Sequence, residues 1–135
     1  LREWSRVLRS GGGIAVLVDS KFARTSWMLT HSECKPAEVF EFLENRKKNG
    51  FRVNGAQATT HVFSPNELSG MMGSCGLEVT VSAGLLALWQ GLDNGELQSR
   101  LAENFDLWKK LELKYCQEPS LTGLGRQILV VARKP

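Results

Sequence analysis

Leu1, Trp4 and Leu8 recur at helical spacing, with Val7 beside them and Arg2, Arg6 and Arg9 turned away, so the first segment reads as the end of an amphipathic helix. Ser10-Gly11-Gly12-Gly13 stops it, because glycine supplies the left-handed backbone with which many helices finish. A chain that opens at Leu1, without an initiator methionine and in what reads as the middle of a helix, predicts further sequence upstream. Residues 14–18, Ile-Ala-Val-Leu-Val, are a continuous apolar run between turn signals, the pattern of a strand buried on both faces; a central parallel strand is expected.

The pattern loosens over residues 20–60, which read as an inserted segment of one helix and loops. Pro36 suits a first helical turn, Val39, Phe40 and Leu43 share a face, and Asn49-Gly50 supplies a stop, so a helix is expected over about residues 36–48. Trp27, Met28, His31 and Phe51 on its flanks suit either a minor core or a lid over a pocket, core packing being the plainer reading. Ser64-Pro65-Asn66-Glu67 then combines a capping serine, a first-turn proline and a glutamate that closes the capping box. Leu68, Met71, Met72 and Cys75 follow at helical spacing, and Gly76 ends the helix. Leu77, Val79 and Val81 alternate with polar residues as a strand does. Asp93-Asn94-Gly95-Glu96 predicts a second capped helix, with Leu97, Leu101, Phe105, Trp108, Leu111 and Tyr115 on one face as far as residue 116. Residues 128–132 read as a last short apolar strand.

Composition narrows the class. With 42% hydrophobic and 23% charged residues the 135-residue chain fits one ordinary globular domain, and no stretch approaches the roughly 18 apolar residues of a membrane span. The net charge of +3 is mostly local, in Arg46-Lys47-Lys48 and in Lys109, Lys110 and Lys114. Each group falls toward the end of an expected helix, and no aromatic residues interleave as a nucleic-acid platform requires, so solvated helix ends are expected rather than a nucleic-acid partner. Cys34, Cys75 and Cys116 are an odd number with no close pair, which fits free thiols in a reducing cytoplasm. His31 and Cys34 alone have ligand-like spacing, too few for structural zinc, so no metal is expected. Neither glycine cluster suits a phosphate, since Gly11-Gly12-Gly13 and Gly123-Leu124-Gly125 both precede strands rather than helices. There is no nucleophile elbow for a hydrolase, and Cys75 falls on an apolar helix face.

Three segments carry a resemblance. Trp4-Ser5-Arg6-Val7-Leu8-Arg9-Ser10-Gly11-Gly12 resembles the helix and turn before the fifth strand of class I S-adenosylmethionine-dependent methyltransferases. Phe63-Ser64-Pro65-Asn66-Glu67-Leu68, continued by Cys75-Gly76-Leu77-Glu78-Val79, is similar to the family's segment leading into strand six. Residues 127–135 resemble its last strand. The resemblance implies an α/β fold in which this chain is the C-terminal part of a Rossmann-like methyltransferase sheet. It would supply strands five to seven with flanking helices, the last strand lying antiparallel beside the fifth in the order 3-2-1-4-5-7-6. The N-terminal cofactor-binding half, with its glycine-rich loop and the acidic residue after strand two, has no counterpart in the chain.

The implied activity is methyl transfer from S-adenosyl-L-methionine to an acceptor, expected to be a small molecule, by the full-length protein, with this chain inactive alone and prone to self-association. Such transfer needs a nucleophile held in line with the methyl group, so positioning can suffice without a general base. By the same analogy the acceptor pocket draws on the segments after strands five and six, which makes Asp19, Lys21, Trp27, His31 and His61 its candidate residues. Asp19 leads because it follows the end of a parallel strand, where such folds bind ligands, although it also reads as a helix cap or loop aspartate. A non-catalytic methyltransferase-like binding or partner subunit is the alternative.

Overall fold

The computed structural model describes residues 1–30, 34–45, 47–53, 56–89 and 92–135, with backbone alone for 47–53, 56–58 and 94. The order is α1 (Arg2–Val7), β1 (Gly13–Asp19), α2 (Lys21–Thr30), α3 (Pro36–Asn45), β2 (Lys47–Val53), β3 (Ala56–His61), α4 (Pro65–Ser74), β4 (Glu78–Leu85), a 3₁₀ turn (Ala87–Trp89), α5 (Asn94–Glu103), α6 (Phe105–Tyr115), α7 (Pro119–Thr122) and β5 (Gln127–Arg133). The fold is thus mixed α/β. Among the described residues no helix is long and apolar enough to cross a membrane.

The larger sheet has the order β1-β5-β4, and β5 is antiparallel to both neighbours, so β1 and β4 run parallel with β5 between them. Alternation along β5 turns Ile128, Val130 and Ala132 to one face, where all three are fully buried against Leu68, Met72 and Leu77. Ile14, Val16 and Val18 extend that face from β1, and Leu1 and Leu8 pack over it from either end of α1. Lys134 Nζ donates to the carbonyls of Ser5 (2.9 Å) and Leu8 (3.0 Å), setting a cation where α1 leaves its carbonyls unpaired.

β1 departs from expectation. It is an edge strand whose side chains alternate between half-buried and exposed over residues 13–18, with Leu17 49% exposed, rather than a central strand buried on both faces. The reason is that the helices cover one face of the sheet at this end, and β5 is its sole strand partner among the described residues apart from one bridge at Ser20.

Residues 20–60 are also richer than the helix and loops expected. α2 precedes α3, and β2 and β3 form a separate antiparallel pair. α3 ends at Asn45, short of residue 48; Asn49-Gly50 lies inside β2, next to a register irregularity between Asn49 and Arg52, instead of ending a helix. Lys47 and Lys48 therefore belong to a strand, and Arg46 lies outside the described residues. The single helix expected to residue 116 is two, broken at Asn104, whose extended backbone and side chain, accepting from Leu107 N–H at 3.1 Å, start α6 afresh.

Both capping boxes form as the sequence implies. Asp93 accepts from Glu96 N–H at 2.8 Å, and Ser64 Oγ accepts from Glu67 N–H at 3.3 Å while the Glu67 carboxylate accepts from Ser64 N–H at 2.8 Å. α4 closes with Gly76 at φ +74°, Leu77 N–H reaching back to the Met72 carbonyl. Ser64→Ala is accordingly expected to cost about 1 kcal/mol. Reversible denaturant unfolding measures this, and an unchanged midpoint would show that the cap contributes nothing.

Candidate functional site

Strand register defines one end of the sheet. Asp19 and Leu85, the last residues of the parallel strands β1 and β4, both stand opposite Gln127 of β5, so the carboxyl ends of β1 and β4 lie in one row. In parallel-strand folds this is the end where ligands bind, because helices and loops leaving the strands surround it.

The first half of the row is built around Ser20. Its backbone N–H donates to the Arg126 carbonyl at 3.2 Å, which turns the Asp19 carbonyl and Lys21 N–H to the opposite edge. There both bond Phe63: Phe63 N–H donates to Asp19 at 3.1 Å, and Lys21 N–H donates to the Phe63 carbonyl at 2.8 Å. Ser20 itself is buried; Oγ donates to the Gly123 carbonyl at 2.6 Å and accepts from Ala23 N–H at 3.3 Å, so it caps α2. A cap on α2 is thus supplied by Ser20, the residue after Asp19.

Four of the five candidate residues can be placed. Asp19 and Lys21 flank Ser20, and His61 joins them through Phe63, its ring 4.7 Å from the phenyl ring. Lys21 Nζ lies 6.0 Å from the Phe22 ring. Trp27 stands six residues along α2, about 9 Å away along the helix axis, with the Arg24 guanidinium 4.0 Å over its ring. It belongs to the flank of the site. His31 lies outside the described residues.

The second half of the row was not foreseen. Beyond β4, Leu86 adopts φ +58°, a left-handed backbone that costs a non-glycine residue about 1–2 kcal/mol. The turn it makes directs Ala87 N–H to Glu112 Oε1 on α6 at 3.0 Å. Trp89 from the same 3₁₀ turn is buried against Trp108 of α6, centroids 4.7 Å apart in an edge-to-face arrangement. Trp108 and Glu112 are one helical turn apart, so they share a face of α6. That spacing was present in the sequence, but the apolar periodicity assigned Trp108 to core packing and drew no notice to Glu112.

No protein-family model and no curated protein matches the chain significantly. What can be said of its chemistry rests on the site itself. Among the described residues no three His, Cys, Asp or Glu side chains converge as metal ligands would. The three cysteines are free thiols. Gly11 to Gly13 lead into β1, and the turn at Gly123 and Gly125 leads into β5, so neither presents helix N-terminal amides to a phosphate.

Proposed function

We propose that this chain is the C-terminal part of a class I S-adenosylmethionine-dependent methyltransferase domain, supplying its fifth, sixth and seventh strands. On this reading the full-length protein transfers a methyl group to a small-molecule acceptor. The observation that carries the proposal is strand order: an antiparallel last strand, β5, inserted between two parallel strands, β1 and β4. That is the 5-7-6 arrangement the resemblance implies. The register, with α4 packed on β4 and β5, supports it independently of the sequence motifs.

Among the described residues neither glycine turn stands between a strand and a following helix, so neither offers the phosphate-type loop that S-adenosyl-L-methionine binding would use on this reading. Cofactor binding is therefore assigned to sequence upstream, and no step of the transfer is routed through residues of this chain. Asp19 and Lys21 are assigned to the acceptor side, held at the strand end by the Ser20 and Phe63 backbone bonds.

Calorimetry tests this reading. S-adenosyl-L-methionine is expected to show no binding to residues 1–135 and clear binding to a form extended at its N-terminus by the upstream coding sequence of the same gene. Binding to residues 1–135 alone would mean that the cofactor site had been misassigned. Failure of the extended form to bind would remove the methyltransferase reading. Binding without transfer to any acceptor would favour the non-catalytic subunit.

A further inference from the structure

We infer that the β2–β3 ribbon is a docking element for double-stranded DNA. Residues 45–66 hold Arg46, Lys47, Lys48 and Arg52 and no acidic residue, so the charge of this stretch exceeds the +3 of the whole chain. With Lys47 and Lys48 in β2, no helix end accounts for their charge. Strand pairing does not offset it either. Lys47 stands opposite His61, Lys48 opposite Thr60 and Arg52 opposite Gln57, and β3 as a whole holds no acidic residue. An opposite charge directly across a strand pair stabilises it, and this ribbon has none in its register. A charge so placed points to an anionic partner.

Form selects among anionic partners. Among the described residues no third strand joins β2 and β3, and the major groove of B-DNA, about 12 Å wide, admits a two-stranded ribbon. Adjacent strand residues fall on opposite faces, which places Lys47 on one face of the ribbon and Lys48 on the other. A groove carries phosphates along both walls, whereas a flat anionic membrane meets one face only. Single strands call for an aromatic platform, while a duplex is held through its phosphates. β3 adds Gln57 and Thr60, residue types that bond phosphates and base edges. The ribbon is also anchored, since β3 continues through Val62, fully buried, to Phe63, whose backbone bonds Asp19 and Lys21. The inference names a partner and no methyl acceptor, and it does not rest on the methyltransferase reading.

The test titrates the 135-residue chain, below the concentration at which it self-associates, into a fluorescein-labelled DNA duplex of mixed sequence and reads anisotropy. Saturable binding is expected. If Lys47, Lys48 and Arg52 each neutralise one phosphate, log affinity falls with log salt at a slope of roughly −2.7, so raising salt from about 50 to about 200 mM should weaken binding about 40-fold. Lys47→Gln, Lys48→Gln and Arg52→Gln together should abolish binding, and Lys48→Gln alone should reduce the slope by about one. Lys109→Gln, Lys110→Gln and Lys114→Gln together remove the same charge from α6 and should leave affinity within a few-fold. Thermal unfolding checks that each variant folds, and the slope of Lys48→Gln decides the matter if the triple β2 variant does not. Absence of saturable binding, an equal loss in the α6 variant, or an unchanged slope in folded Lys48→Gln would overturn the proposal. So would equal affinity for the unpaired strand, or tighter binding to vesicles of phosphatidylserine and phosphatidylcholine. Neither cofactor nor upstream sequence enters the measurement. Its failure leaves the methyltransferase reading standing, and failure of cofactor binding by the extended form leaves this inference standing.

Discussion

Gly125→Ala is expected to destabilise the chain by about 3 kcal/mol, at the upper end of overpacking effects, and to lower its thermal midpoint by roughly 10 °C. A Cβ at residue 125 would stand 2.5 Å from Gly84 Cα and 2.6 Å from both Gly84 C and Leu85 N. These are backbone atoms of a strand end and cannot swing aside as a side-chain tip can. Gly84 is similarly pressed on its other side, where an added Cβ would meet the Thr122 carbonyl oxygen at 2.5 Å and Thr122 Cα at 2.9 Å. Gly84→Ala should therefore be comparably damaging. Gly70→Ala gives the opposite sign. Gly70 lies exposed within α4 with nothing within 4 Å of an added Cβ, and alanine there should stabilise by about 0.5–1 kcal/mol. Differential scanning calorimetry of the three variants decides the matter, and a Gly125→Ala midpoint at or above the parent's would show that this contact relaxes freely.

These contacts mark the limit of what the sequence discloses. Gly123-Leu124-Gly125 reads correctly as a turn before a strand, but nothing local says that residue 125 must accept the backbone of residue 84. Ser20 is a similar case. A serine before a helix is a recognisable cap, yet α2 carries Thr25, Ser26 and Thr30, weak helix formers, and its apolar residues do not recur cleanly enough to announce a helix. The bond from Ser20 to Gly123 joins residues 103 apart and has no sequence signature.

Elements with strong local chemistry were legible. Ser64 and Asp93 begin helices because capping boxes depend only on neighbours. The break at Asn104 was masked by apolar residues continuing through it; Phe105, taken for the buried face, is 58% exposed. The β2–β3 pair was missed because Asn49-Gly50 looks like a stop, whereas Asn54-Gly55, the dipeptide between the two strands, is the stronger hairpin signal. Of the candidate residues, Asp19 stands out by its place after a strand, while Lys21 and His61 are carried by the resemblance alone. The contact between Glu112 and Ala87 has no sequence signal, because the two residues meet only through the turn at Leu86.

Residues 1–135 alone are expected to self-associate with rising concentration, whereas on the methyltransferase reading a form extended at its N-terminus should remain monomeric. The cause lies in β1. Ser20 N–H faces β5, so strand alternation turns the N–H and C=O groups of Gly13, Ala15 and Leu17 to the opposite edge. Among the described residues no strand pairs along that stretch, the bridge to Phe63 lying beyond it at Ser20. Residues 13–18 carry no charge or proline, the devices that protect natural sheet edges, and Leu17 adds exposed apolar surface beside the open backbone. A second β1 can pair there, whereas on the methyltransferase reading the fourth strand occupies the position. Leu17→Lys should suppress association without disturbing the buried face formed by Ile14, Val16 and Val18, because residue 17 points away from it. Light scattering over a concentration series, on the parent, Leu17→Lys and the extended form, reads the outcome. A parent that stays monomeric and unfolds cooperatively would mean that the sheet needs no further strand, and would remove the ground for placing β1 inside a larger one.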